Sequence, residues 1–165
     1  MRVLAFLAVL LAAAAAQAQV NVFRVERGQW MVYDYSGRVC RALNRPPVDF
    51  NYSPFNVLQI VAGRDNSISV EVFFWPKAID PSRNYRLRLN FTPGGSVTLE
   101  AKAQGTDMML SASDDAGKLW AMFEKASTLQ VTVEGAPDLN LAFGLDDIRW
   151  VLTTLQDCAR RLPKT

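Results

Sequence analysis

Few residues in this chain are of a type that does chemistry, and the shortfall is informative. The 165 residues contain no histidine and only two cysteines. Without histidine, Ser-His-Asp and Cys-His machinery, imidazole acid–base work and His-ligated zinc are excluded as usually built. Two thiols are too few for an iron–sulfur cluster or an all-cysteine zinc site. No Gly-rich loop of the Walker or dinucleotide type is present, nor a calcium loop of alternating acids. No cofactor is expected on these grounds.

Carboxylates are the remaining source of acid–base groups. Asp114-Asp115 and Asp146-Asp147 are adjacent pairs. Adjacent residues on a helix do not face one another, so neither pair makes a natural dyad. Both stand where a helix begins, and capping accounts for them. Arg86 and Arg88 share the polar side of one alternating stretch, and Glu71 lies on the polar side of another. They could bind an anion, but the expectation is a solvated face with a cross-strand ion pair. Phe73, Phe74 and Trp75 are consecutive, so a regular strand would turn at least one away from the core. Phe73 and Trp75 then either form a contact surface or are covered by a second layer of sheet. Asn51-Tyr52-Ser53 and Asn90-Phe91-Thr92 match glycosylation sequons, which carry little meaning if the source is bacterial.

The two cysteines are read through the compartment. Residues 1–18 have the parts of a secretory leader: Arg2, an uncharged apolar run from Val3 to Ala16, and small residues at Ala16 and Ala18. Cleavage is expected between Ala18 and Gln19. The run falls short of the about 20 apolar residues of a spanning helix, so no stable membrane insertion of the mature chain is expected. In an oxidising compartment Cys40 and Cys158 have one intramolecular pairing. Such a bond would join the start of the domain to its end. Its loop-closure entropy is worth about 4–5 kcal/mol in the simplest treatment. A reactive thiol is the alternative, but there is no Cys-x-x-Cys spacing and no histidine to activate one.

Removing 18 of 165 residues leaves 147, one domain's worth of chain. A domain of that size buries roughly 68–70% of its unfolded surface. The mature chain carries 17 basic and 16 acidic residues, a net +1. That balance lacks the basic stripe of a nucleic-acid binder and the polybasic patch of a membrane-surface protein.

Period-two patterning dominates the chain. Strands are expected over 29–35, 38–43, 56–62, 67–75, 85–91 and 97–102, and again over 107–113, 129–134 and 139–143. In 67–75, Ile68, Val70, Val72 and Phe74 take one side and Ser69, Glu71 and Phe73 the other. In 85–91, Tyr85, Leu87, Leu89 and Phe91 form the apolar side. This is the pattern of antiparallel sheet with one face in a core. Two stretches change to helical period. Residues 116–126 place Leu119, Trp120, Met122, Phe123 and Ala126 on one stripe. The C-terminal helix, 145–162, places Ile148, Val151, Leu152, Leu155, Cys158, Ala159 and Leu162 on another, with Arg160 and Arg161 at its negative end.

Trp30-Met31-Val32, followed by Cys40, and Leu139-Asn140-Leu141-Ala142-Phe143-Gly144-Leu145, running into the last helix, frame the domain. This arrangement resembles the invasion-associated locus B family of proteobacterial secreted and periplasmic proteins. The resemblance implies a mainly β domain with a leader and a terminal strand–Gly–helix, and an association with host-cell entry. It implies no defined reaction and no functional residue. The chain departs from the family's pattern at Tyr33, where a cysteine is common, and at Ile148, where an alanine is usual.

The fold class expected is therefore mainly β: an antiparallel β-sandwich or partly closed barrel with a C-terminal α-helix packed on it. Residues 1–18 are the leader and 19–165 a single domain. The function expected is that of a non-enzymatic periplasmic or secreted binding protein. Its partner would be a protein or small ligand in the envelope or outside the cell, and not nucleic acid. Alternatives are an inhibitor or immunity protein against an envelope enzyme, a carboxylate-only hydrolase, and a small-ligand carrier.

Overall fold

A computed structural model describes residues 23–44, 56–65, 67–74, 77–104, 109–114 and 117–163. The leader, its cleavage site at Ala18 and Gln19, Trp75, Asp115 and the Asn51 sequon lie outside these residues.

The strands are β1 (Arg24–Arg27), β2 (Trp30–Tyr35), β3 (Val39–Asn44), β4 (Val57–Ala62) and β5 (Ile68–Phe73). They continue with β6 (Tyr85–Thr92), β7 (Gly95–Ala103) and β8 (Met109–Asp114). Helix α1 (Lys118–Lys125), β9 (Thr128–Val133), a 3-10 turn (Pro137–Leu139), β10 (Leu141–Gly144) and helix α2 (Ile148–Arg161) complete the chain. All ten strands form one antiparallel sheet in the order β1-β2-β3-β4-β5-β8-β7-β6-β9-β10. The mainly β, antiparallel architecture with a terminal helix is the one expected. The sheet is not closed: β1 and β10 are its two edges.

The sheet nevertheless curls until its ends approach. Gln29 and Asn44 both donate side-chain amides to the Gly144 carbonyl, at 3.2 and 3.1 Å. Trp30 Nε1 donates to the Asp146 carbonyl at 2.8 Å. The concave face holds the core. Ile68, Val70 and Val72 of β5 and Tyr85, Leu87, Leu89 and Phe91 of β6 are buried there, as their alternation requires. Helix α1 adds Leu119 and Phe123, and the Phe123 ring meets Phe91 edge to face at 4.9 Å. Trp120 and Met122, expected on the same stripe, are only partly buried.

Helix α2 packs on β2, β3 and β4 through Val151, Leu152, Leu155, Cys158 and Ala159. Its C-terminus is held twice. Cys158 is disulfide-bonded to Cys40 of β3 with a Cα–Cα distance of 6.0 Å, and Arg64 Nη1 donates to the Leu162 carbonyl at 2.8 Å. The helix begins at Ile148, not at residue 145, because Asp147 adopts φ 62° and breaks the helical path. The 3-10 turn over Pro137–Leu139 likewise delays the last strand to Leu141. β1 was not expected from the sequence, since Arg-Val-Glu-Arg lacks an apolar alternation.

Candidate functional site

Over β2 to β5 the convex face is not the polar surface that a one-sided sheet would present. Met31, Tyr33, Leu43, Val57, Gln59 and Phe73 are all half-buried on it. Arg41 of β3 lies at its centre. The register sets Arg41 opposite Tyr33, and Gln59 between Leu43 and Glu71. Arg41 Nη1 donates to Gln59 Oε1 at 2.7 Å and also to Glu71 Oε2. The side chains of Arg41 and Glu71 are 16% and 4% exposed, so the pair is largely removed from water. The Arg41 guanidinium also stacks on the Tyr35 ring, 4.8 Å from its centroid. Tyr35 itself is 54% exposed.

The electrostatics follow from this packing. Burial pushes the Tyr33 phenol above its ordinary pKa; Arg41 opposes the shift, while Glu71 and Tyr35 reinforce it. Tyr33 therefore stays neutral through the physiological range. Glu71 is engaged by the Arg41 guanidinium and screened from solvent. What reaches the surface is the Tyr35 ring, lying over the Arg41 guanidinium.

A second feature is a cleft of about 440 Å³ at the β4–β5 turn. Ser67, Ser69 and Ser113 line it with Asp65 and Asp114 beside the apolar Val61. Asp65 accepts the Ser67 N–H at 3.0 Å. The Ser67 hydroxyl, first, and that N–H, second, hold the Asp65 carboxyl below its usual value. Gly63 leaves room for the Ser67 and Asp65 side chains at this turn. A Cβ there would stand 2.6 Å from Ser67 Oγ and 2.7 Å from Asp65 Oδ1. Asp114 is committed elsewhere: its Oδ2 accepts the Leu119 N–H at 2.5 Å. Each acid thus has a turn or helix to stabilise.

The residues singled out from sequence disperse. Helix α1 starts at Lys118, not at residue 116, and its N-cap is Gly117; Asp114, at the end of β8, still stabilises the start by accepting the Leu119 N–H. Asp146 and Asp147 do not cap α2 with their side chains. Asp147 instead pairs with Arg27 at 2.9 Å, and Asp146 contributes its carbonyl to Trp30. Arg86 makes the cross-strand ion pairs expected of a solvated face, to Glu100 at 3.4 Å and Glu134 at 2.9 Å. Glu71 departs from that expectation. β8 and β7 separate its strand from Arg86 and Arg88, and it is buried against Arg41. Phe74 is in the core, while Phe73 is half-buried on the convex face. Asn90 lies on β6, partly exposed. Cys40 and Cys158 are bonded. Arg41, Gln59 and Tyr35 were missed. The signal for Arg41 was its place between inward Cys40 and Ala42, but that reads as significant only once β3 is aligned with β4 and β5. Among the described residues no group of three or more Cys, Asp or Glu side chains could hold a metal ion.

Fold and site together describe a small β domain with a curled, open sheet and a disulfide-clipped terminal helix, the covalent pattern of an oxidising, non-cytoplasmic compartment. Among the described residues no helix is long and apolar enough to cross a membrane. The fold is similar to that of invasion associated protein B from Bartonella henselae, with a TM-score of 0.52 and 16% sequence identity over 82% of this chain and 99% of that one. At that identity the likeness is one of fold, and at that level it agrees with the resemblance drawn from Trp30, Cys40 and residues 139–145. No family model matches the sequence, and no curated protein matches it.

Proposed function

We propose that the chain is an exported, non-enzymatic binding protein of the periplasm or the cell exterior, whose mature form begins at Gln19. The observation that carries the reading is the exposed Tyr35 ring held on the buried Arg41–Glu71 pair. Tyrosine and arginine are the residue types that most often anchor protein interfaces. Here the two side chains already contact one another, so less freedom is left to lose on binding. The half-buried apolar side chains around them supply the surrounding contact area. The leader and the disulfide support export. The name of the similar structure makes a host-facing partner the first to examine.

The test is affinity purification from envelope and host-cell extracts, with Tyr35→Ala as control. The expected result is one partner in stoichiometric amount, lost with the variant. Because Tyr35 is exposed, its truncation leaves the core untouched. Turnover of a cell-wall, peptide or glycan substrate, abolished by replacing a single carboxylate, would overturn the reading. A single envelope enzyme as the captured partner would redirect it to inhibition.

A further inference from the structure

The geometry points to the outer edge of β10 as a docking strand for an extended, uncharged segment of a partner protein, apolar at alternate positions. The argument begins with the phase of the β9–β10 ladder. Leu145 N–H donates to the Ser127 carbonyl at 2.8 Å. Along the register Leu141↔Val131 and Phe143↔Leu129, that phase aims the main-chain groups of Leu141 and Phe143 at β9. Those of Ala142 and Gly144 therefore point away from the sheet. An independent observation agrees: the Gly144 carbonyl accepts from side chains on the far side, Gln29 and Asn44. The Ala142 N–H and C=O and the Gly144 N–H have no hydrogen-bond partner among the described residues. Both residues are exposed.

The two edges of the sheet differ in chemistry. β1 carries Arg24, Glu26 and Arg27 in four residues, and charge of that density discourages strand addition. β10 is Leu-Ala-Phe-Gly, without a charge or a proline. Nothing in its composition guards it, and three outward main-chain groups favour a complementary main chain. The side chains define the rest of the partner. Leu141 and Phe143 turn toward the core, half-buried and buried, so the partner residues beside them sit against an apolar wall. Ala142 and Gly144 offer no bulk on the other face, which leaves the intervening partner positions open to polar residues. A pattern such as Thr-Val-Thr-Val-Thr meets both conditions.

This edge is distinct from the Tyr35–Arg41 surface, and its test separates the two. The isotope-labelled, disulfide-intact chain is titrated with an acetylated and amidated Thr-Val-Thr-Val-Thr peptide at millimolar concentration. The Ala142 and Gly144 amide resonances should shift, and their hydrogen exchange should slow about ten-fold or more. Ala142→Pro should abolish the effect, because it removes an N–H that β9 does not use, while Tyr35→Ala should leave it unchanged. If the proline variant fails to fold, a peptide N-methylated at alternate residues replaces it and should not bind. The proposal is overturned by shifts confined to other strands, by no shift at all, or by binding that survives Ala142→Pro and N-methylation. It is equally overturned by an Ala142 amide already protected without peptide, whether by its own chain or, if protection rises with protein concentration, by a second copy.

Discussion

Trp30 of β2 donates its indole N–H to the carbonyl of Asp146, just before α2, across 116 positions of sequence. Gln29 and Asn44 reach the neighbouring Gly144 carbonyl from the same side. The two sequence stretches that frame the domain therefore touch in space, and their contact is made of hydrogen bonds from side chains to main chain. That contact draws the ends of an open sheet together without a strand pairing between them.

Trp30→Phe keeps an aromatic ring in the core but removes the donor and part of the buried indole. The expected cost is at least about 1–2 kcal/mol, the range for one lost hydrogen bond with an acceptor left behind, to which the vacated volume adds. Urea unfolding followed by circular dichroism measures it. An unchanged midpoint would mean that the indole N–H contributes nothing to holding the sheet ends.

Replacing Cys40 and Cys158 together by Ser should cost about 2–5 kcal/mol. Unfolding with and without a thiol reductant provides the comparison. The midpoint of the native chain should fall in reductant, and that of the double variant should not move. A native chain indifferent to reductant throughout the transition would contradict the stabilising role of the bond.

Arg41→Ala leaves the Glu71 carboxylate buried without its cation, and should destabilise by about 3–5 kcal/mol. Replacing the pair by Arg41→Met with Glu71→Leu should recover most of that loss, since no charge then remains to be solvated. A double-mutant cycle checks both statements. Equal losses in the single and double variants would show that packing, not charge, sets the effect.

The Ser82 hydroxyl and N–H donate to Asp80 Oδ1 at 2.6 and 2.9 Å. The hydroxyl bond first, and the N–H bond second, hold the Asp80 carboxyl below its ordinary pKa. A folded value below the unfolded one means that this turn's contribution is complete above the ordinary carboxylate range and is lost as pH falls through the folded value. Ser82→Ala should move the Asp80 titration upward, toward the ordinary value, in a carbonyl-detected NMR titration. An identical curve in the variant would rule out the hydroxyl as the cause.

The readable part of this fold is local. Alternation in 67–75 and 85–91 assigned the inward faces of β5 and β6 correctly, because a strand's period is independent of its neighbours. Helical spacing found the buried stripe of α2 for the same reason. What depends on neighbours stayed hidden. Glu71 was placed on the right face, yet its burial follows from Arg41 lying two strands away, and no periodicity encodes that. The insertion of β8 and β7 between β5 and β6 separated Arg86 and Arg88 from Glu71. Asp147 looked like a cap because acids before a helix usually are; its left-handed conformation and its pairing with Arg27 are tertiary facts. A strand was expected over 139–143, but that it forms an edge with outward main-chain groups appears only with the sheet order and the ladder phase.

The bond between Cys40 and Cys158 has a consequence for the order in which the molecule is made. Synthesis runs from the N-terminus, so Cys40 emerges with 118 positions still to come before its partner. The chain has no third cysteine to occupy it meanwhile. A product interrupted anywhere before the last turns of α2 keeps a free thiol on β3, open to capture by any other thiol or disulfide it meets. Only a chain extended through α2 can retire that thiol internally, so the bond also serves as a chemical mark that synthesis has passed that helix.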